Sequence, residues 1–209
     1  MSYYPIMLDI KGERCVVVGG GEVALRKAQS LLDCGARVRV ISPALCPDLD
    51  KMRDSKTIEY IAREYRDNDL DGAMLVVAAT DDREVNTQIM QEAESLSMLC
   101  NVVDDPELSN FIVPSSLRRG SLTIAVSTGG KSPALARRIR TELEKHFGDE
   151  YDSLVSLVEQ VRSDLSDRGV SMPGEVWQQA LDLETLARLL RQGRRDEAKS
   201  RLLDMLENR

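Results

Sequence analysis

The stretch Val16-Val17-Val18-Gly19-Gly20-Gly21-Glu22-Val23-Ala24 joins a β-branched run to a helical pattern. Cys15–Val18 reads as a strand. Apolar residues at Val23, Ala24, Ala28, Leu31 and Leu32 then recur with helical period, and Gly35 is a suitable stop. Gly19, Gly21 and Ala24 match G-x-G-x-x-A in the strand-turn-helix setting that the pattern requires. The first glycine makes a tight turn, the second lets backbone approach a pyrophosphate, and the small third residue lets helix and strand pack closely. The helix start offers free N–H groups and partial positive charge to phosphates. A tight βα turn that binds nothing would satisfy the same glycines, so the setting, not the pattern alone, favours a dinucleotide. A P-loop is excluded because no GK[ST] follows.

Outward from this loop the pattern repeats. Val38–Ile41 is a second strand, closed where Ser42-Pro43 must turn the chain, and Ile58–Ile61 a third. Met74–Ala79 and Met98–Val103 are continuous apolar runs, as strands covered on both faces are, with helical Glu84–Leu96 between them. Repeated strand-helix-strand succession predicts a parallel Rossmann-type sheet, because right-handed crossovers place helices on its faces. At Phe111 the pattern changes. Phe111–Val113 and Ser121–Ser127 are strand-like, joined across 114–120, and a Gly-rich loop, Thr128–Ser132, enters a helix near Pro133. After Phe147-Gly148 only amphipathic helical segments remain: Tyr151–Leu165, Glu175–Leu190 and Glu197–Leu206. The expected organisation is α/β: a Rossmann domain over 1–111, a small α+β region over 112–146 and a helical domain over 147–209, which would cap or gate a site.

Composition narrows the function classes. The chain has 209 residues, 42% hydrophobic and 30% charged, enough for a real core and against wholesale disorder. No stretch approaches the ~18 apolar residues that span a bilayer, and the first ten residues lack a secretory leader's basic and apolar regions. Cys15, Cys34, Cys46 and Cys100 show no zinc spacing, and the surroundings of Cys15, Cys34 and Cys100 read as those of reduced core thiols. A cytoplasmic protein is expected.

The acidic residue that usually grips the adenosine ribose lies ~20 residues past the glycines; here that place holds Ser42. Ser42 and the turn at Pro43 and Ala44 can still bind the ribose, while Arg37 and Arg39 could receive a 2′-phosphate or stand as solvated edge residues. Two more strand ends carry carboxylates: Asp81-Asp82 and Asp104-Asp105. Asp81 and Asp82 precede a helix and suit capping. Asp104 and Asp105 fit either a turn or a general base beside a nicotinamide. The lone His146, in KHFG at a helix end, reads as a cation complementing the dipole.

Taken together, VVVGGGEVALRKAQSLLDCGARVRVISP, VVAATDD, CNVVDDPELSNFIVPSS and SLTIAVSTGGKSPALARRIR resemble the precorrin-2 dehydrogenases, the stand-alone equivalents of the siroheme synthase N-terminal module. The likeness runs from Pro5 to Phe147, and the combination of NVVD with STGG-x-SP is its specific part. It implies NAD-dependent oxidation of precorrin-2 to sirohydrochlorin. Asp104, closing NVVD, would be the catalytic aspartate. NAD contacts would come from Gly19, Gly21, Glu22 and Val23, from the Ser42-Pro43-Ala44 turn, and from Thr80 against the nicotinamide half. Asn101, Ser127, Thr128, Lys131 and Arg137 would bind substrate. The resemblance also implies a homodimer built by the region after the sheet, where Leu135, Ala136, Ile139 and Leu143 fit either a core or an interface. Some relatives carry a phosphorylatable serine where Thr128 stands here. Others insert Fe2+ into the product; the macrocycle supplies four nitrogens, so no protein metal cluster is needed. A chain of this length is expected to carry no methyltransferase module, so precorrin-2 would come from a separate protein.

The formal net charge of −7 argues against nucleic acid as a partner, yet it hides an uneven distribution. Residues 1–111 carry 12 basic against 20 acidic side chains, residues 112–146 seven against two, and residues 147–209 nine against 13. The basic cluster (Arg118, Arg119, Lys131, Arg137, Arg138, Arg140, Lys145) suits a small polyanion such as a tetrapyrrole carrying eight carboxylates, or else pairs with the acidic tail. Two other functions compete. A non-catalytic NAD(H)-sensing module explains the glycine loop and the tail but not the basic segment; a generic dehydrogenase normally shows a catalytic His or a Tyr-x-x-x-Lys, and neither is present.

Overall fold

The structure, a computed structural model, describes residues 3–207. The chain divides after Val113 into two compact units. In the first, β1 (Arg14–Val18), α1 (Glu22–Leu32), β2 (Arg37–Ile41), α2 (Pro47–Asp54), β3 (Glu59–Ile61), β4 (Leu75–Ala78), α3 (Arg83–Ser95) and β5 (Leu99–Val102) follow one another. The five strands pair in parallel, in the order β3-β2-β1-β4-β5. The order reverses at β1, which places the Gly19–Gly21 loop at the switch point, outside the carboxyl ends of β1 and β4, where open α/β sheets bind ligands.

Alternation along the strands builds two cores. Cys15, Val17, Val38, Val40, Leu75 and Val77 pack with Ala24, Leu25 and Ala28 of α1 and Leu49 of α2. Val16, Val18, Ile41, Val76, Ala78, Cys100 and Val102 pack with Ile89 and Ala93 of α3. Burial on both faces is why these strands read as unbroken apolar runs. Cys15 and Cys100 are core thiols, and burial pushes each up to about 11. Cys34 departs from expectation: it follows α1 and is exposed, because the helix ends before it and Gly35 turns the chain outward. The apolar pattern did not announce α2, since Leu49 is its one fully buried residue. Pro47 near its start, with acidic residues in the first turn and basic ones in the last, marks it instead.

In the second unit, β6 (Ser115–Arg119) and β7 (Leu122–Val126) form an antiparallel hairpin, followed by α4 (Pro133–His146), α5 (Glu150–Asp167), α6 (Gly174–Ala180), α7 (Leu183–Arg191) and α8 (Arg195–Glu207). The strand expected over Phe111–Val113 is a loop, and the true partner of β7 lies inside the segment expected to connect. A polar strand burying little besides Leu117 carries no apolar run to find. The helix expected over Glu175–Leu190 is two helices, because Asp182 accepts the Thr185 amide hydrogen and starts α7 afresh. The tail closes around Leu154, Leu157, Val161, Leu186, Leu202 and Leu206. Arg119 donates to the Phe147 carbonyl and pairs with Asp149, which ties the hairpin to the start of the tail. His146 is the last residue of α4, as the dipole argument anticipates.

Candidate dinucleotide-binding site

Three successive glycines do three different things. Gly19 has φ +127°, and a Cβ there would lie 2.2 Å from the Ala79 carbonyl oxygen at the end of β4. Gly20 is packed against the next loop: its carbonyl accepts the Cys46 amide at 2.7 Å, and a Cβ would come within 1.8 Å of the Ala44 oxygen. Gly21 faces open space, with nothing within 4 Å of where a Cβ would be. It is also the N-cap of α1 and supplies no side-chain cap, so the first amides of the helix have no partner from a capping side chain. This cradle fits a pyrophosphate: open at Gly21, closed behind by Gly19 and Gly20, and lined by N–H donors at the positive end of a helix. Glu22 and Val23, exposed and half-buried, begin that helix.

The second-strand turn is held from within. Ser42 is 8% exposed; its hydroxyl donates to the Ala44 carbonyl at 2.8 Å, and its own carbonyl accepts from the Tyr60 hydroxyl at 2.9 Å. Pro43 and Ala44 form the exposed rim. Arg37 donates to the Gly12 carbonyl at the opposite end of the sheet, and Arg39 pairs with Glu59 at 2.9 Å. Both guanidiniums are thus committed away from the ribose turn.

On the other side of the switch point, Thr80 donates to Asn86, whose amide donates back to the Thr80 carbonyl at 3.0 Å. Buried Asn86 therefore fixes the loop after β4; inside α3 it reads as an ordinary surface residue until its contacts are seen. Asp82 caps α3 through the Glu84 and Val85 amides, as expected. The Asp104–Asp105 pair divides cleanly. Asp105 accepts the Glu107 and Leu108 amides and serves the turn. Asp104 is exposed, in the left-handed region at φ +59°, just past the end of β5. A non-glycine residue is uncommon there, and Asp tolerates the conformation better than most. Asn101 is 8% exposed, with its amide donating to the Phe111 carbonyl at 3.1 Å and its oxygen 3.5 Å from the Lys27 ammonium.

The second unit holds the remaining candidates. The Ser127 hydroxyl accepts the Gly129 amide, and the Thr128 hydroxyl accepts the Ser132 amide at 2.9 Å, shaping the loop into α4. Of its basic cluster, Arg138 and Lys145 pair with Glu142, Arg140 with Glu144, and Arg119 with Asp149. Lys131 and Arg137 are exposed and, among the described residues, make no ion pair. The apolar stripe of α4 also splits: Ala136 is buried, whereas Leu135 and Ile139 are 52% and 39% exposed.

Comparison with known proteins follows the same division. A family described as "Putative NAD(P)-binding" matches residues 6–115. The chain belongs to this NAD(P)-binding family. A second family, "Sirohaem biosynthesis protein central", matches residues 119–146. Among relatives, the siroheme synthase of Thioalkalivibrio sulfidiphilus (strain HL-EbGR7) is 39% identical over 99% of this chain and 42% of its own length. Siroheme synthase 1 of Aeromonas salmonicida (strain A449) is 42% identical over 99% of this chain and 44% of its own. The NAD(P)-binding chain thus spans less than half the length of these relatives. A solved structure, "SirC, precorrin-2 dehydrogenase", superposes with a TM-score of 0.71 at 23% identity, covering 99% of this chain and all of that one, and shares the fold. Among the described residues no helix is long and apolar enough to cross a membrane.

Proposed function

We propose that this chain oxidises precorrin-2 to sirohydrochlorin with NAD as hydride acceptor, in the cytoplasm and as a homodimer. The observation that carries the reading is Asp104: an exposed carboxylate in a left-handed turn, on the same sheet edge as a dinucleotide cradle open at Gly21. Dehydrogenation removes a hydride and a proton from the substrate. Bound NAD supplies the hydride acceptor; Asp104 takes the proton. The Gly19–Val23 turn holds the pyrophosphate, the Pro43-Ala44 rim the ribose, and the loop of Thr80 the nicotinamide half. NAD is favoured over NADP because Arg37 and Arg39 are both committed elsewhere. Lys131 and Arg137, left without ion pairs, are the cations offered to substrate carboxylates, with Ser127 and Thr128 beside them in the loop. Exposed Leu135 and Ile139 on one ridge of α4 support a dimer contact.

Insertion of Fe2+ into sirohydrochlorin is a second activity of the same reading, in which iron is a substrate and the tetrapyrrole supplies the nitrogens. Mixing the protein with precorrin-2 and NAD, and following NADH and sirohydrochlorin absorbance, tests the oxidation. Asp104→Ala is expected to lose about tenfold or more in kcat, and a smaller loss rejects the base role. NADH binding without turnover would instead mark a sensing module. Sirohydrochlorin with Fe2+ or Co2+, with and without the protein, tests insertion. Light scattering that gives a monomer at every concentration removes the dimer.

A further inference from the structure

The strands that end at the dinucleotide cradle begin at a second concavity. A cavity of about 370 Å³ lies at the amino ends of β1, β2 and β3, walled by Arg14, Arg37, Lys56 and Glu59, with buried Val38 and Ile58 supplying apolar lining. That volume falls within the ~300–1,000 Å³ range of small-ligand pockets. Arg14 and Arg37 are the first residues of their strands and stand directly opposite each other in the parallel register. Adjacent strands run about 4.8 Å apart, so two guanidinium side chains start side by side, and like charges at such spacing repel. Neither is relieved by a carboxylate. Arg14 donates to the Asp71 carbonyl at 3.2 Å, and Arg37 to the Gly12 carbonyl at 2.8 Å. These neutral acceptors fix the guanidiniums, leave their charge in place and leave further N–H donors on each. The one carboxylate in the wall, Glu59, is held by Arg39 at 2.9 Å.

Lys56 makes no ion pair among the described residues. It stands in the left-handed region, at φ +57°, just past the end of α2, where glycine is the usual residue. A lysine there carries backbone strain that glycine would not. Complementing the helix end does not require it, since Lys51 and Arg53 already place cations in the last turn. Composition does not explain the cluster either: residues 1–111 carry 12 basic against 20 acidic side chains.

We propose that this cavity is a second binding site, for a small organic oxyanion: a phosphate or carboxylate group between Arg14 and Arg37, with the Lys56 ammonium as a third contact and the apolar part of the molecule against Val38 and Ile58. Guanidinium N–H pairs match the geometry of either oxyanion. The site lies at the opposite ends of the strands from the Gly19–Gly21 loop, so it is separate from the cradle and does not depend on which reaction the cradle serves.

The test uses the full chain with NADH added to fill the cradle, and titrates inorganic phosphate and citrate by calorimetry. A Kd of about 1 mM or tighter is expected for at least one probe, and the tighter one identifies the oxyanion. Lys56→Gly removes one cation and the strained residue together. Its unfolding midpoint should hold or rise while the Kd weakens about fivefold or more, so misfolding is not the cause of the loss. Arg37→Gln should weaken binding by about the same factor. Acetic anhydride labelling, read by peptide mass spectrometry, places the anion: the tighter probe at saturation should slow acetylation of Lys56 about threefold or more and leave exposed Lys51 of α2 unchanged. No binding of either probe to the parent overturns the proposal. So does binding that Lys56→Gly leaves within about twofold, or that protects Lys56 and Lys51 alike, because the anion then sits elsewhere.

Discussion

Two glycine-rich loops in this chain lead into helices, and they are finished in opposite ways. Gly19-Gly20-Gly21 enters α1 with no side-chain cap and with open space in front of Gly21. Thr128–Ser132 enters α4 fully dressed: Ser132 accepts the Leu135 amide, Thr128 accepts the Ser132 amide, and Pro133 has no amide hydrogen to satisfy. Both are glycine-containing loops that lead into a helix. Only the first leaves its donors to a ligand, so the lesson is that a glycine pattern marks a phosphate site when its helix start is left uncapped.

The largest differences between the two loops are expected at the glycines of the first. Gly20→Ala should be the most damaging, because its Cβ would collide with the Ala44 carbonyl, a backbone atom that cannot swing away. A loss of about 2–3 kcal/mol in chemical denaturation is expected, with NADH binding lost as the two loops separate. Gly21→Ala should separate the effects. Its φ of −87° suits alanine and its Cβ meets nothing, so stability should change by less than about 1 kcal/mol. NADH affinity should nonetheless fall about tenfold or more, since the methyl group occupies the space a pyrophosphate needs. Equal affinity in Gly21→Ala and the parent would show that the cradle is not used.

The α4 entry should behave in the reverse manner. Ser132→Ala removes a helix cap and is expected to cost about 1 kcal/mol in thermal or denaturant unfolding. NADH affinity, measured by fluorescence, should not change. A tenfold loss there would mean that the second loop, too, serves the dinucleotide.

The smallest expected effect is acidic. The Arg63 guanidinium beside Asp69, in the first unit, holds that carboxyl below the usual carboxylate range, and Arg191 does the same for Glu150 in the second. A carboxyl depressed in the folded state adds stability above its unfolded pKa and loses it as pH falls through the folded value. Unfolding midpoints should therefore decline below the ordinary carboxylate range, and Asp69→Asn and Glu150→Gln should each flatten that decline. An acid profile identical to the parent's would remove these pairs from the account.

How much of this was legible depends on what each residue buries. The β1-loop-α1 unit announced itself because Val16–Val18 are buried on both faces and Gly19 is obligatory at the turn. The polar hairpin strand β6 and the charged helix α2 bury one residue each in full, so neither carries a period to count. The break at Asp182 depends on one side chain choosing a backbone amide over solvent. Within the site, Gly21 and Asp104 could be singled out from spacing and resemblance. Gly20 and Asn86 could not. Their roles come from approaches between separate segments: Gly20 to Ala44 and Asn86 to Thr80.

The dinucleotide belongs to the first unit, and the proposed base is the carboxylate on the same sheet edge. The most direct test is turnover of precorrin-2 by Asp104→Asn. Asparagine also tolerates the left-handed conformation found at this position, so the substitution removes the charge while keeping the turn. The account predicts NADH binding equal to the parent's and kcat reduced about tenfold or more. Turnover at the parent rate, with NADH bound, would contradict it.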